Sequence, residues 1–404
     1  MSRTRRGSTT EPTVRKSAIV SAWRNSVFGV FTVCGFALAS WVSRLPTIRD
    51  ELEASTAQLG VILLGLAIGS VLGLLSANQV IQRLGPRATA TAGLLACAAS
   101  LFTVGAGSTI AHSSALVFSG LLVYGAGAGV CNVAMNIEGA AIERQLTRSI
   151  MPLFHASYSL GSVLGAALGA LAASIRLDVA IHLSLVAVVV ACGALWPTRR
   201  FRAFSDTRAS EGDVSRTRRR TAWLEPRTLL IGLIVMSTSF AAGAASDWLA
   251  LAMVDGHGVG VDIAAMTYGI YVVAVTLGRL GGILLLDRFG RVRVLQGSAA
   301  MATIGLATVV FAPHPAIAML GALFWGLGTA LGFPVGLSAA ADDPERGAAR
   351  IGVVATIGYG AMLIGPPMLG FVGERVGLLN ALLVVLVLAL IGGIVAPAAR
   401  KIRR

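Results

Sequence analysis

The residues best able to do chemistry in this sequence are polar side chains placed within long apolar stretches. Asn132 and Asn136 stand four positions apart, so they share one face of a helix. Their amides could hydrogen-bond a polar solute, or they could equally join neighbouring helices. Glu138 follows near the end of the same stretch. A carboxylate in apolar surroundings is costly, which makes Glu138 a candidate for carrying a proton; the alternative is that it already lies at the boundary with water.

Other candidates lie in later apolar stretches. His155 can titrate near neutral pH, so it is a second proton-carrying candidate, with a purely structural histidine as the alternative. Arg279 lies within an apolar run and needs either a charged partner or room for its long side chain to reach the boundary. The aromatic side chains that could line a solute-binding site are Tyr158, Trp325 and Tyr359.

Twelve apolar runs must position these residues. Of the 404 residues, 55% are hydrophobic and only 13% are charged, against about 25% charged in a typical soluble domain. A helix needs about 20 apolar residues to cross a bilayer. Because backbone groups in lipid must pair internally, we expect an all-α integral membrane protein. The predicted spans are 24–46, 58–80, 88–108, 114–137, 151–173, 178–196, 228–251, 265–286, 294–312, 315–337, 349–372 and 377–397.

The net charge of +14 could indicate nucleic-acid binding, but the positions of the charges indicate membrane topology instead. With the N-terminus assigned to the cytoplasm, the cytoplasmic segments hold 28 of the lysines and arginines, and the outer loops hold four. This strong positive-inside bias predicts that both termini are cytoplasmic. No nucleic-acid-binding motif is present, so nucleic acid is not an expected partner.

The chain reads as two copies of one unit. Gly85 and Gly290 each follow an apolar run and stand 205 positions apart, about half of the chain length. Trp41 and Trp248 repeat at 207 positions, in the same order. We therefore expect two pseudo-symmetric halves of six helices each. The predicted divisions are a disordered tail at 1–16, a first half at 17–196, a basic linker at 197–227, a second half at 228–398 and a basic tail at 399–404.

The turn after the eighth span reads Asp287-Arg288-Phe289-Gly290-Arg291. With twelve spans in two related halves and a basic middle loop, this turn resembles the major facilitator superfamily over about 20–400. In the second span's copy of the motif, Gln82 stands in place of the acid and Pro86 in place of an arginine. The resemblance implies that Asp287, Arg288 and Arg291 help gate the conformational change.

Within the superfamily the chain is most similar to the bacterial branch near the fucose:proton symporters. One position departs from that branch, because Ala242 stands where an acid precedes Gly243. The similarity rests on Trp41–Pro46, Met135–Gly139, His155–Gly161, Asp247-Trp248, and Tyr359 with Gly365-Pro366-Pro367.

The resemblance implies alternating access, in which two halves rock about a site near the midplane. It also implies that the first and seventh spans face each other. Arg44 and Asp247 lie near the outer ends of these spans, and we expect them to pair when the outer side closes. The alternative is that each lies in the outer headgroup layer. Arg279 is a further gating candidate.

The predicted function is secondary active transport of a small polar organic solute, such as a sugar, by proton-coupled symport. The few charges in the spans favour a neutral solute. Proton-driven efflux of an amphipathic molecule or drug is the alternative, and a non-transporting membrane sensor is a lesser one. An enzyme is not expected, because the histidines are scattered and no H-E-x-x-H motif is present.

The expected partners are the solute, protons and the lipid bilayer, with no cofactor and no metal. No P-loop is present to bind ATP. We expect a monomer in the bacterial inner membrane.

Overall fold

The computed structural model describes residues 11–146, 150–201, 221–342 and 346–401, and no strand occurs among them. Short 3-10 turns, Pro197–Arg200 and Ala396–Ala399, follow the last helix of each half. The helices are α1 Glu11–Val42, α2 Leu45–Glu51, α3 Thr56–Thr109, α4 Ser114–Leu146, α5 Met151–Ser174, α6 Val179–Leu195, α7 Pro226–His257, α8 Val261–Phe311, α9 Pro315–Thr329, α10 Gly332–Ala340, α11 Gly347–Val376 and α12 Leu378–Val395.

The predicted tails and linker fall partly outside these residues. Of the tail at 1–16, residues 1–10 lie outside the described part, while α1 already begins at Glu11, so its helical start is earlier than predicted. Of the linker at 197–227, residues 202–220 lie outside. The helix α7 begins at Pro226, where a proline at the first position suits a helix start.

The helix α3 contains two antiparallel passes. It is 54 residues long, which at ~1.5 Å per residue is more than twice the ~30 Å core of a bilayer. Gly85 breaks it with φ 79° and ψ 161°, a conformation that favours glycine. Before the break, Gly69 and Gly73 lie against Leu122 and Ala126 of α4, so the two helices run parallel. After the break the direction reverses, with contacts from Gly93 to Gly127 and from Gly107 to Val117.

The helix α8 repeats this arrangement in the second half. Gly290 adopts φ 73° and ψ 165°, nearly the same conformation as Gly85. Before it, Tyr271 packs on Gly326 of α9; after it, Ala302 packs on Gly328, and the order of the contacts reverses as in α3. The motif glycine of each half therefore makes the same tight turn between two passes.

The described chain has ten ranges that are long and apolar enough to cross a membrane, and a shorter apolar helix, Val179–Leu195. One of the ten ranges is the whole of α3, which passes twice. The described residues thus contain eleven apolar passes and one shorter apolar helix. The bundle is therefore an all-helical membrane fold.

The two halves, α1–α6 and α7–α12, contact each other mainly through two helix pairs, α3 with α11 and α5 with α8. In the first pair, Gly60 lies against the backbone of Pro366 and Pro367. In the second, Gly269 lies near the side chain of Ala166. The Pro-Pro pair within α11 is thus packed against protein, the setting in which prolines are tolerated inside a membrane helix.

Candidate functional site

A cavity of about 2020 Å³ lies between the two halves. At one end of the bundle, which we call the basic end, it is bordered by Arg291, Arg293, Arg400 and Lys401. It extends to Asp247 and Leu63, closer to the opposite end, which we call the α2 end. The cavity therefore opens at the basic end and penetrates deep into the bundle.

The α2 end is closed by contacts that cross from one half to the other. Arg49 of α2 forms an ion pair with Asp255 of α7. A carboxylate oxygen of Glu374, near the end of α11, accepts a hydrogen bond of 3.1 Å from the backbone N–H of Ala57, in the first turn of α3. A carboxylate at a helix N-terminus is favourable, because the amide groups there lack partners within the helix. These ties hold α2 and α3 to the second half.

Asp247 is the acid deepest in the cavity wall. Its neighbours there include Ser246 on the same helix and Tyr268 on α8. Among the described residues, no cation lies within ion-pair distance of Asp247. A carboxylate without a counter-charge that faces a cavity between membrane helices can exchange a proton or bind a polar group of a solute.

Arg279 and His155 face the cavity from opposite halves. Nη1 of Arg279 on α8 lies 3.4 Å from Oγ of Ser159 on α5, at the long limit of a hydrogen bond. His155 lies one turn before Ser159, and its ring meets Phe31 edge-on at 5.2 Å. The side chains of Arg279 and His155 are both exposed to the cavity.

The structure brings most of the predicted site residues to this cavity. Asn132, Tyr158 and Tyr359 contribute to its wall, together with His155, Asp247, Arg279, Asp287 and Arg291. Three of these come from the first half and five from the second, on five different helices. The cavity, therefore, is a shared site that depends on the relative position of the halves.

Glu138 lies outside the cavity wall. Its side chain is only 2% exposed, and Oε2 accepts a hydrogen bond from Nε1 of Trp23. This contact ties α4 to α1 within the first half. Glu138 is therefore not solvated at a boundary, but neither does it face the site as a proton carrier for a solute there would.

Two of the predicted solute-binding residues, Asn136 and Trp325, also lie outside the cavity wall. The amide nitrogen of Asn136 donates to the backbone carbonyl of Asn132 at 2.8 Å and to its side-chain oxygen at 3.2 Å, and Asn136 does not line the cavity. Trp325 is fully buried in the second half, with its ring 5.7 Å from that of Tyr271. Trp325 therefore packs inside the second half and does not line the cavity.

The expected pair of Arg44 with Asp247 is wrong in this structure. Arg44 is 2% exposed, and its Nη2 donates to the carbonyl oxygen of Leu177 at 2.6 Å, within the first half. The pair that does cross the closed end is Arg49 with Asp255. These two stand 206 positions apart, nearly the repeat offset of Gly85 and Gly290, and that offset was a signal that could have identified them.

Comparison with known families decides what kind of protein has this cavity. The model of the Major Facilitator Superfamily matches residues 27–366 and 250–404. The chain belongs to the major facilitator superfamily. It is 28% identical over 386 residues to an uncharacterized transporter, y4wD, of Sinorhizobium fredii, covering 95% of this chain and 99% of the relative. It is also 28% identical over 378 residues to an uncharacterized MFS-type transporter of Yersinia pestis, covering 93% and 94%.

Solved structures of facilitators share the fold. The nucleoside transporter NupG has a TM-score of 0.74 at 15% identity, covering 95% of this chain and 100% of that one. A bacterial homolog of the human lysosomal transporter Spinster, inward-facing and unoccupied, has 0.73 at 12% identity and coverages of 98% and 98%. The facilitator FucP, in its outward conformation, has 0.62 at 17% identity and coverages of 93% and 99%. The match to the family model confirms the expected membership, whereas these structures, at low identity, show the fold alone.

At the basic end, the charged residues of the facilitator motif in the second half differ in whether they form ion pairs. Nη1 of Arg291 forms an ion pair with the carboxylate of Asp342 at 2.7 Å. The other oxygen of that carboxylate pairs with Nη2 of Arg227 at 3.2 Å. Arg288 instead lies over the ring of Phe289, 5.4 Å from its centroid, and does not line the cavity. Asp287 lines the cavity and has no ion-pair partner among the described residues.

A second ionic cluster lies beside this motif. Nε of Arg350 bonds the carboxylate of Glu225 at 2.6 Å, and Arg346 bonds its other oxygen at 3.2 Å. The hydrogen bond from Arg350 is the main cause that lowers the pKa of Glu225, which lies just before α7. The basic end of the second half is thus held together by bonds within that half, and none of them crosses the cavity.

Proposed function

We propose that this facilitator is a secondary active transporter that moves a small polar organic solute by alternating access, as a proton-coupled symporter. The observation that carries the proposal is a deep cavity between two related halves, open at the basic end and closed by ties at the α2 end. Two such halves can rock about a central site and expose it to each side in turn.

The proposal assigns the basic end to the cytoplasm of a bacterial cell, with both termini inside. The support is the distribution of charge, 28 lysines and arginines against four. With this orientation the present conformation is open inward. The transporter is proposed to work as a monomer in the inner membrane.

Asp247 is the residue that we propose carries the coupled proton. It replaces Glu138 in this role, because Asp247 faces the cavity and Glu138 is buried against Trp23. A carboxylate that must lose its water when the cavity closes is more stable in its protonated form. Loading of Asp247 with a proton would therefore favour the closed intermediate through which the halves exchange. His155 remains a second candidate, since it also faces the cavity.

The alternative, efflux of a small amphipathic molecule, is favoured by one observation. Much of the cavity wall is apolar and includes Leu63, Leu66, Leu74, Leu331 and Met362. Such a surface suits a molecule with a large apolar part. The alternative differs from symport in the direction of net movement.

The experiment that tests the proposal starts from cells. Metabolites are compared between a strain that lacks the protein and its parent, and the solute that changes is then supplied to proteoliposomes. A symporter leaves its solute outside the deletion strain and accumulates it in proteoliposomes under an imposed pH gradient. Retention inside the deletion strain would support efflux instead. Absence of counterflow of the identified solute would reject transport.

A further inference from the structure

Arg279 differs from the arginines near the two ends of the bundle that form ion pairs. Arg227 and Arg291 share Asp342, Arg346 and Arg350 share Glu225, and Arg49 pairs with Asp255. Arg279 forms no ion pair with any described residue, and its one hydrogen bond is the 3.4 Å contact with Ser159. Its guanidinium is exposed to the cavity in the middle of a membrane bundle. An ionised side chain at such a position indicates a functional role.

The acids of the cavity lie too far along the bundle to neutralise Arg279. Asp287 is eight residues further along α8, or about 12 Å toward the basic end. Asp247 lies ten residues before the end of α7, and Arg279 lies eighteen residues after the start of α8 at the same end of the bundle. The two are therefore about 12 Å apart along the bundle axis. Arg279 is therefore a cation in the cavity wall without a nearby acid, and Asp247 is the acid at a deeper level of the same cavity.

The opposite wall at the level of Arg279 belongs to α5. The hydroxyl of Ser159 accepts from Arg279 there and itself donates to the backbone carbonyl of His155 at 3.2 Å, while the side chain of His155, one turn toward the basic end, offers a ring nitrogen. His155 and Tyr158 of α5 line the same cavity as Arg279 of α8, and Ser159, which is next to Tyr158 in the chain, contacts Arg279 directly. Donors from two helices of different halves thus converge on one region of the cavity.

We propose that Arg279 and His155 form an anion subsite in which Ser159 positions the guanidinium, and that the transported solute is a small organic acid with a carboxylate or phosphate group. The planar guanidinium matches either group with two parallel hydrogen bonds. The subsite rests on the proposed transport function and names its substrate class. An anionic solute differs from the neutral solute that the few charges in the spans predicted. The reason is that the charge of Arg279 has no ion-pair partner among the described residues.

The subsite also explains how the solute drives closure. When the halves close over the cavity, Arg279 loses water, and an unpaired guanidinium in a dry site is costly. A bound anion removes that cost and contacts α5 and α8 together, so it draws the two halves toward each other. Without a bound anion, closure leaves the charge of Arg279 unpaired and costs free energy. Binding of the solute therefore favours closure of the cavity.

The test uses the full-length protein, purified in a neutral detergent. Its unfolding midpoint is measured with matched compounds that differ in charge: glucose, gluconate, glucuronate and glucose 6-phosphate, and galactose with galacturonate. Inorganic phosphate, sulfate and chloride form a separate arm. We expect an organic anion to raise the midpoint and its neutral counterpart to leave it unchanged. Stabilisation by the inorganic ions alone would overturn the assignment to an organic solute, and so would a panel in which no anion shifts the midpoint.

The variants are Arg279→Gln and Arg279→Lys, with Arg83→Gln as the matched control. Arg83 is an exposed arginine outside the cavity wall, and its replacement makes the same change of charge. Arg279→Gln should weaken binding of the anion at least tenfold, Arg279→Lys should retain part of it, and Arg83→Gln should bind as wild type. The unliganded midpoint of each variant verifies folding. Equal binding by Arg279→Gln and wild type would overturn the subsite.

Flux separates the two proposals. If the anion binds through Arg279 but proteoliposomes show no counterflow, the subsite stands and the transport function fails. If the solute identified in cells has no ionised acid group and still exchanges, transport stands and the anion subsite fails.

Discussion

Arg49 and Asp255 form an ion pair between α2 and α7 that joins the two halves of the bundle at the closed end of the cavity. Their side chains are 14% and 33% exposed, so the pair lies at the protein surface rather than in its core. The pair can exist only while the α2 end is closed, because its members belong to different halves. It therefore contributes to the equilibrium between the conformations.

Breaking this pair should open the α2 end more often. A partly exposed pair contributes about 0.2–1 kcal/mol, which shifts a balanced equilibrium by up to about fivefold. Arg49→Gln and Asp255→Asn should each increase the open population, and the double variant should open no more than the stronger single one. Spin labels on cysteines at Ser114 and Ala316, in a background without the four native cysteines, report the distance between the halves.

Asp50→Asn is the control for the ion pair between Arg49 and Asp255. Asp50 also bonds Arg49, at 3.0 Å, but it belongs to the same helix and is 53% exposed. It should leave the distance distribution unchanged. If Asp50→Asn opens the α2 end as much as Asp255→Asn does, the pair between the halves has no special part in gating.

Asp247→Asn should uncouple transport from the proton. The amide keeps the size and polarity of the side chain but cannot lose or gain a proton near neutral pH. We expect accumulation driven by a pH gradient to be lost, while counterflow of solute without a gradient continues. Both are measured in proteoliposomes with the solute identified in cells. Full accumulation by Asp247→Asn at every pH would remove Asp247 from the coupling step.

Glu138→Gln should, in contrast, retain accumulation. The amide oxygen can still accept the hydrogen bond from Trp23, and the residue lies outside the cavity wall. Loss of accumulation with intact counterflow would return Glu138 to the role of proton carrier that the sequence favoured.

Trp23→Phe should destabilise the first half. It removes one donor from a buried carboxylate, and a hydrogen bond to a charged group contributes about 1.5–3 kcal/mol. We expect a lower unfolding midpoint in detergent with unchanged coupling in proteoliposomes. The control for loss of an indole is Trp196→Phe, because Trp196 is 75% exposed. An equal effect of the two substitutions would contradict the proposed tie between α1 and α4.

Asp342→Asn should lower stability more than Asp287→Asn. Asp342 bonds Arg227 and Arg291 and is 9% exposed, so its removal leaves two arginines close together without their shared acid. The expected cost is about 1–3 kcal/mol. Asp287 has no ion-pair partner among the described residues, and its substitution should change transport rate rather than the unfolding midpoint. The reverse order of the midpoints would contradict this division of the motif.

The sequence by itself determined the membrane passes and the turns between them. Apolar length and the need to pair every backbone group in lipid define a span locally. The turns at Gly85 and Gly290 could also be predicted, because each glycine follows the end of an apolar run. The spacing between the two glycines revealed the repeat.

Only the tertiary structure decided which polar residues face the cavity. Asn132 and Asn136 share one helix face, yet one lines the cavity and the other bonds back to its own helix. Glu138 turns toward Trp23, since the rotation of α4 is set by its close packing on α3 and not by its polarity. Pairs such as Arg49 with Asp255 join residues 206 positions apart. They exist because two halves dock in one conformation, which local sequence does not encode.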